Sequence, residues 1–151
     1  MRLVVDSNIA FNAILHTNSK ASRLLLMPRT GLNFYSTLQL LEEIDEHSDK
    51  LIELAGYSQK EFEHLRHLIS KKISFISPTL IPLSVWRKAE ELTAGIDADD
   101  TEFVALTEQV KGRLWTGDRR LSKGLTKKGW NKCISTADLY MSIFTKSRGR
   151  N

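Results

Sequence analysis

The chain has 151 residues, enough to bury one good core, and its 41% apolar and 26% charged content is ordinary for a globular protein. No stretch approaches the roughly 18–20 apolar residues needed to cross a bilayer. One cysteine, Cys133, excludes an internal disulfide and a multi-cysteine zinc site. The net charge of +4 hides an asymmetry: residues 111–151 carry 11 Lys or Arg against two acids, a net of +9, while residues 1–110 carry 11 against 16, a net of −5. A basic segment beside an acidic one suits a protein that binds a polyanion and also holds cations. The apolar stretch before Asp6 is too short for a secretory signal, so an intracellular, cytoplasmic protein without membrane attachment is expected.

In chain order, Arg2–Val5 reads as a short buried strand, ended by the polar run Asp6-Ser7-Asn8. Residues 9–15 and 21–27 read as two helical pieces, and residues 32–35 as a second strand. Ser36 or Thr37 is expected to cap one long helix with Leu38, Leu41, Ile44, Leu51 and Leu54 on its apolar face. Ser58, with Glu61 three residues on, predicts a capping box that opens a helix with Phe62, Leu65 and Ile69 facing inward. Residues 73–76 read as a strand and 82–92 as a helix, after which Asp99 or Asp100 is expected to cap the next helix. Arg113–Trp115 is a clear strand closed by Thr116-Gly117-Asp118; residues 133–134 read as a last short strand and 137–144 as a final helix. Strands alternating with helices predict an α/β domain with a mainly parallel sheet. With no repeat and no linker, residues 1–145 are expected to form a single domain and 146–151 a basic C-terminal tail.

Two of the strands finish in the same way. Leu3-Val4-Val5 runs into Asp6, and Leu114-Trp115-Thr116 runs through Gly117 into Asp118. In an open parallel sheet ligands bind outside the carboxyl ends of the strands, so both aspartates are placed to enter one crevice. A third group, Asp97-Ala98-Asp99-Asp100, opens a helix, where capping alone would also favour carboxylates. Carboxylates brought within a few ångströms of one another cannot all stay ionised without a cation. Mg²⁺ and Mn²⁺ take such oxygens, and a site of this kind hydrolyses P–O bonds.

These motifs resemble a family. Val4-Val5-Asp6-Ser7-Asn8 is similar to the opening motif of PIN domains, Asp97 to Leu106 to the third, and Leu114-Trp115-Thr116-Gly117-Asp118 to the fourth. The family's second motif, a glutamate early in the helix after the second strand, falls on Glu42 or Glu43; Glu43 is favoured because Ile44 follows it. The resemblance implies a PIN-like three-layer α/β/α sandwich with a short, mainly parallel sheet, and a catalytic quartet of Asp6, Glu43, Asp100 and Asp118. Asp6, Asp100 and Asp118 would hold Mg²⁺ or Mn²⁺, with Asn8, Asp97, Asp99 and Thr116 as supporting groups. It further implies an endoribonuclease, such as a VapC-type toxin of a toxin–antitoxin pair, with an RNA substrate, a small antitoxin protein as partner and a homodimeric state.

Arg119, Arg120 and Lys123, directly after Asp118, are candidates for RNA phosphate contacts, with Lys127 and Lys128 beyond them. Trp130 lies among basic residues, which leaves base stacking open beside a core role. The four histidines form no ligand pattern, and His47 reads as a surface residue. Two other functions compete. A haloacid dehalogenase-like phosphatase also places an aspartate after its first strand, but Asn8 stands where its second aspartate is needed. A catalytically silent RNA- or protein-binding module on the same fold is the other.

Overall fold

The computed structural model describes residues 1–28 and 31–148; Arg29, Thr30 and residues 149–151 of the expected basic tail lie outside the described residues. Among the described residues the strands are β1 (Arg2–Val5), β2 (Asn33–Ser36), β3 (Ile73–Phe75), β4 (Arg113–Trp115) and β5 (Cys133–Ile134). They form one sheet in the order β3-β2-β1-β4-β5, with every pairing parallel. Around it lie α1 (Ser7–Leu15), α2 (Lys20–Leu26), α3 (Leu38–Glu46), α4 (Ser48–Ala55), α5 (Gln59–Lys72), α6 (Leu83–Thr93), α7 (Thr101–Val110), α8 (Arg119–Lys127) and α9 (Thr136–Arg148). Among the described residues no helix is long and apolar enough to cross a membrane.

The strands separate two apolar clusters because their side chains alternate between faces. Leu3, Val5, Phe34, Trp115 and Ile134 point into a core shared with α1 to α5 and α9. Val4 and Leu114 point the other way, into a core with Ala89 of α6, Phe103 to Leu106 of α7, Leu121 and Leu125 of α8, and Trp130. Leu3, Val4, Val5, Leu114 and Trp115 are fully buried, as parallel strands covered on both faces must be. The expected three-layer α/β/α sandwich is therefore the observed fold.

Several local expectations change. The single long helix after β2 is two, broken at His47, whose φ of −102° and ψ of 10° let the chain re-aim against α1. Its buried face is Leu40, Ile44 and Leu51, while Leu38 and Leu54 are exposed. Thr37 holds the N-cap position of α3 but its hydroxyl makes no cap, and Ser36 donates instead to the Val5 carbonyl at 3.2 Å. The Ser58–Glu61 capping box is present in both directions. Before α7, neither Asp99 nor Asp100 caps with its side chain; Asp97 does, accepting from the Asp99 N–H at 2.9 Å across a 3-10 turn, Ala98–Asp100. Asp100, half-buried, holds the N-cap position of α7 without a side-chain cap bond.

β1 and β4 meet where the chain order reverses, and the turn into β4 is built on close approach. A Cβ added at Gly112 would lie 2.5 Å from the Arg2 carbonyl oxygen, a backbone atom that cannot step aside. Gly112→Ala is accordingly expected to destabilise the fold by roughly 1–3 kcal/mol, read as a fall in the urea midpoint. Gly117→Ala, with nothing within 4 Å of the added Cβ, should change the midpoint little and serves as the control. Equal effects of the two would refute this packing argument.

Candidate functional site

The carboxyl ends of β1 and β4 lie side by side, with the Asp6 N–H bonded to the Trp115 carbonyl at 3.1 Å. That pairing delivers Asp6 and Asp118 to one crevice, the topological switch point where open parallel sheets bind ligands. The crevice, of about 280 Å³, is lined by Asp6, Ser7, Asn8, Phe11, Glu43, Glu46, His47, Asp97, Asp99, Asp100 and Asp118. All four expected quartet members stand there. Glu43 lines it and Glu42 does not; Glu42 is exposed on the solvent side of α3.

Asp6 is 2% exposed, and its carboxylate is held at both oxygens. The Thr116 hydroxyl donates to Oδ2 at 2.6 Å, and the Ser7 hydroxyl to Oδ1 at 3.3 Å. Burial pushes the Asp6 carboxyl above its ordinary range, partly offset by these bonds and by the Ser7 and Asn8 backbone. Thr116 itself is buried, and its oxygen also accepts the Asp118 N–H at 3.1 Å. One hydroxyl thus links both aspartates. Asp118 in turn caps α8, its Oδ1 accepting from the Leu121 N–H at 3.1 Å. Across the crevice, Gln39 donates to Glu43 Oε1 at 2.7 Å and to the Asp99 carbonyl at 3.0 Å, tying α3 to the acidic loop.

Asp100 bears the consequence of the crowding. Its carboxyl is pushed up to about 7, first by burial and then by the negative charges of Asp6, Asp97, Asp118 and Glu43. Such a donor set, all oxygen and net anionic, fits a hard divalent cation and not a soft one. Among the described residues no three acids or histidines are grouped closely enough to enclose an ion by themselves. A cation here would keep several waters, which is the habit of Mg²⁺.

His47, expected at the surface, lines the crevice together with Phe11 and Glu46, which the sequence did not single out. Its ring packs 5.3 Å from Phe11 and its Nδ1 lies 2.9 Å from the Glu43 carbonyl. It closes α3 one turn after Glu43, and residues four apart share a helix face, so both line the crevice.

Beside the acids, α8 carries the cations. A groove of about 510 Å³ runs between α8 and the Gly95-Ile96 turn, lined by Arg119, Arg120, Lys123 and Lys127. Gly124 lets α8 approach Ile96, whose Cδ1 would lie 2.6 Å from an added Cβ. Lys128 is not part of it: its ammonium binds the Glu91 and Ala94 carbonyls at the end of α6, at 2.9 and 2.6 Å. Trp130 is 5% exposed and donates to Glu108, so it belongs to the core and not to a stacking surface.

The raised Asp100 carboxyl has a measurable consequence in EDTA. An acid of ordinary value 3.8 when unfolded and about 7 when folded favours the folded state fully below the lower value. That contribution is lost as pH rises through about 7. The urea midpoint of the metal-free protein should fall between pH 5 and 8, and Asp100→Asn should flatten the fall and raise the midpoint at pH 8. Parallel curves for the two proteins would mean that Asp100 is not strained by its neighbours.

No curated protein matches the chain. In fold it is similar to a chain of the crystal structure of VapBC2 from Rickettsia felis bound to a DNA fragment from their promoter. The TM-score is 0.64 at 13% identity, covering 89% of this chain and 97% of that one, a likeness of fold. The sequence also matches the PIN domain over residues 4–138, from the strand before the first aspartate to the start of the last helix. With that match spanning nearly the whole sheet and all of the acids, the chain belongs to the PIN domain family.

Proposed function

We propose that this protein is a Mg²⁺- or Mn²⁺-dependent endoribonuclease. The observation that carries the reading is the crevice at the switch point, where Asp6, Glu43, Asp100 and Asp118 meet and repel one another beside a basic groove. Family membership supports it, since PIN domains are generally nucleases. When bound, a divalent ion supplies positive charge to phosphate oxygens and activates water for hydrolysis.

Asp6, Asp100 and Asp118 would hold the ion, with Glu43 completing the quartet. The chain's own residues do the positioning. Thr116 fixes Asp6 and the backbone of Asp118 through one hydroxyl. Asp97, by capping the turn, turns Asp100 toward the crevice, with Asp99 and Asn8 at its rim. Arg119, Arg120 and Lys123 would take the phosphates that flank the scissile bond. The likeness to a VapBC2 chain supports a toxin of a toxin–antitoxin pair; the cytoplasmic homodimer with a small antitoxin protein as partner is part of the proposal by family resemblance. A silent binding module would not need four carboxylates strained against one another, because mutual repulsion only destabilises the fold. The phosphatase reading lacks its second aspartate at Asn8.

Cleavage of a labelled single-stranded RNA in Mn²⁺, against EDTA, tests the reading. Asp118→Asn and Asp100→Asn should each lower the rate by about 10² or more, as loss of a charge-stabilising group does, without loss of thermal stability. Glu43→Gln should damage cleavage more than Glu42→Gln, since neighbours on a helix point about 100° apart and Glu43 faces the crevice. Wild-type rates in both aspartate variants at limiting metal would dismiss the site.

The basic groove makes a separate claim. Phosphate contacts release counterions, with a slope of about −0.7 per contact on single strands. Replacing Arg119 and Arg120 together by Ala should weaken RNA affinity and flatten its dependence on salt, measured in Ca²⁺ to hold the substrate uncut. Equal slopes would return these side chains to the role of a solvated helix face.

A further inference from the structure

The opposite side of α8 holds a second groove, of about 420 Å³, within the roughly 300–1,000 Å³ range of small-ligand sites. Arg119 and Lys123 line it as they line the first, so the two grooves share α8 as a common ridge. The remaining lining differs in chemistry: Ser122, Thr126, Asn131, Cys133, Ser135 and Asp138, which are polar and, apart from Asp138, uncharged. Much of that polarity is uncommitted. Ser122 donates to the Asp118 carbonyl and Ser135 accepts the Asp138 N–H, but no side-chain hydrogen bond or ion pair engages Asn131, Thr126 or the Asp138 carboxylate among the described residues. Asp138 stands in a groove with Arg119 and Lys123 without being paired to either.

We infer that this groove is a base-reading subsite for a single-stranded RNA, and that it takes guanine. The inference rests on the nuclease reading for the presence of RNA, and goes beyond it in naming the base. A strand whose phosphates lie on the Arg119–Lys123 ridge has a polar pocket beside it, one helix width from the basic groove. Unstacked bases are read on their Watson–Crick edges. A carboxylate accepts and never donates, so it selects a base edge with adjacent N–H groups. Among the four bases that is guanine, through N1–H and the N2 amine. The Asn131 amide supplies a donor for the guanine O6, and the hydroxyl of Thr126 bonds either way. The neighbouring cations keep an unpaired carboxylate from repelling the strand that it reads.

The test separates this subsite from the nuclease reading by measuring binding and cleavage apart. Fluorescein-labelled 12-mer RNAs that differ only in carrying G, A, C or U at each position of a uridine-rich strand are bound in Ca²⁺ and cut in Mn²⁺. Wild type is expected to favour G at one fixed position by about tenfold or more, the size of one good bidentate base contact. Asp138→Asn, which exchanges an acceptor-only group for a mixed one, should collapse that ratio toward one, and Asn131→Ala should reduce it. A preference for another base, no preference, or a G preference that survives Asp138→Asn would overturn the subsite. RNA that is bound with this G preference but never cut would retain the subsite and reject the nuclease. Failure of wild type to bind any of the RNAs would reject both, and leave the groove to a protein partner.

Discussion

The hydroxyl of Thr116 is the point on which the site depends. It is buried between two strand ends, donates to one aspartate and accepts from the backbone of another. A carboxylate as buried as that of Asp6 carries a desolvation cost that only hydrogen bonds or a cation can offset. Threonine serves because its hydroxyl bonds in both directions while its methyl packs in the core. The parallel pairing of β1 with β4 puts Val5 opposite Trp115, so the next residues of both strands leave the sheet together. The fold thus brings like charges together, and local hydrogen bonds keep them there.

The cost of that arrangement is carried by Asp100. Asp6 is fixed by hydroxyls and Asp118 by its helix cap, whereas the Asp100 carboxylate makes no cap bond. It is the group that responds to the summed negative field, and its carboxyl is raised accordingly. Gln39 does the opposite service on the far wall, where one amide binds the Glu43 carboxylate and the Asp99 carbonyl and so holds α3 to the loop. The acidic loop is therefore tethered on one side and electrostatically loaded on the other. On the proposed reading, a cation bound there would remove a strain that is already present.

Strand ends were the most legible part of the sequence, and the reason is physical. A fully buried parallel strand must be continuously apolar, so the first acid after it marks the sheet edge, as Asp6 and Asp118 do. Glu43 could be preferred to Glu42 only on the family pattern; the crevice then places Glu43 inside and Glu42 outside. The break at His47 was not legible. The apolar residues of 38–54 keep helical spacing across it, and the turn is set by packing against α1 and Phe11. Capping was legible in position only: Asp100 holds the N-cap of α7 but makes no side-chain cap bond, and the cap bond goes to Asp97 at the 3-10 turn before it. Trp130 stood open between base stacking and a core role, and its burial and its bond to Glu108 decide for the core; Lys128, a candidate phosphate contact by its place after Asp118, is claimed by the end of α6.

The charge asymmetry acquires its meaning from α8. An acidic crevice repels a polyanion, so a nuclease built on carboxylates must draw its substrate in by other means. Here the same helix solves both halves of the problem. Its first residue is preceded by Asp118, whose cap bond turns one oxygen to the helix N-terminus, and its next turns carry Arg119, Arg120, Lys123 and Lys127 along grooves at the crevice edge. Among the described residues none of these four cations forms an ion pair with the acids of the site. Pairing would satisfy both partners locally and remove both the proposed cation site and the proposed phosphate track. Keeping opposite charges adjacent but unpaired leaves each free for an external partner, which is what the proposed metal-dependent ribonuclease would require.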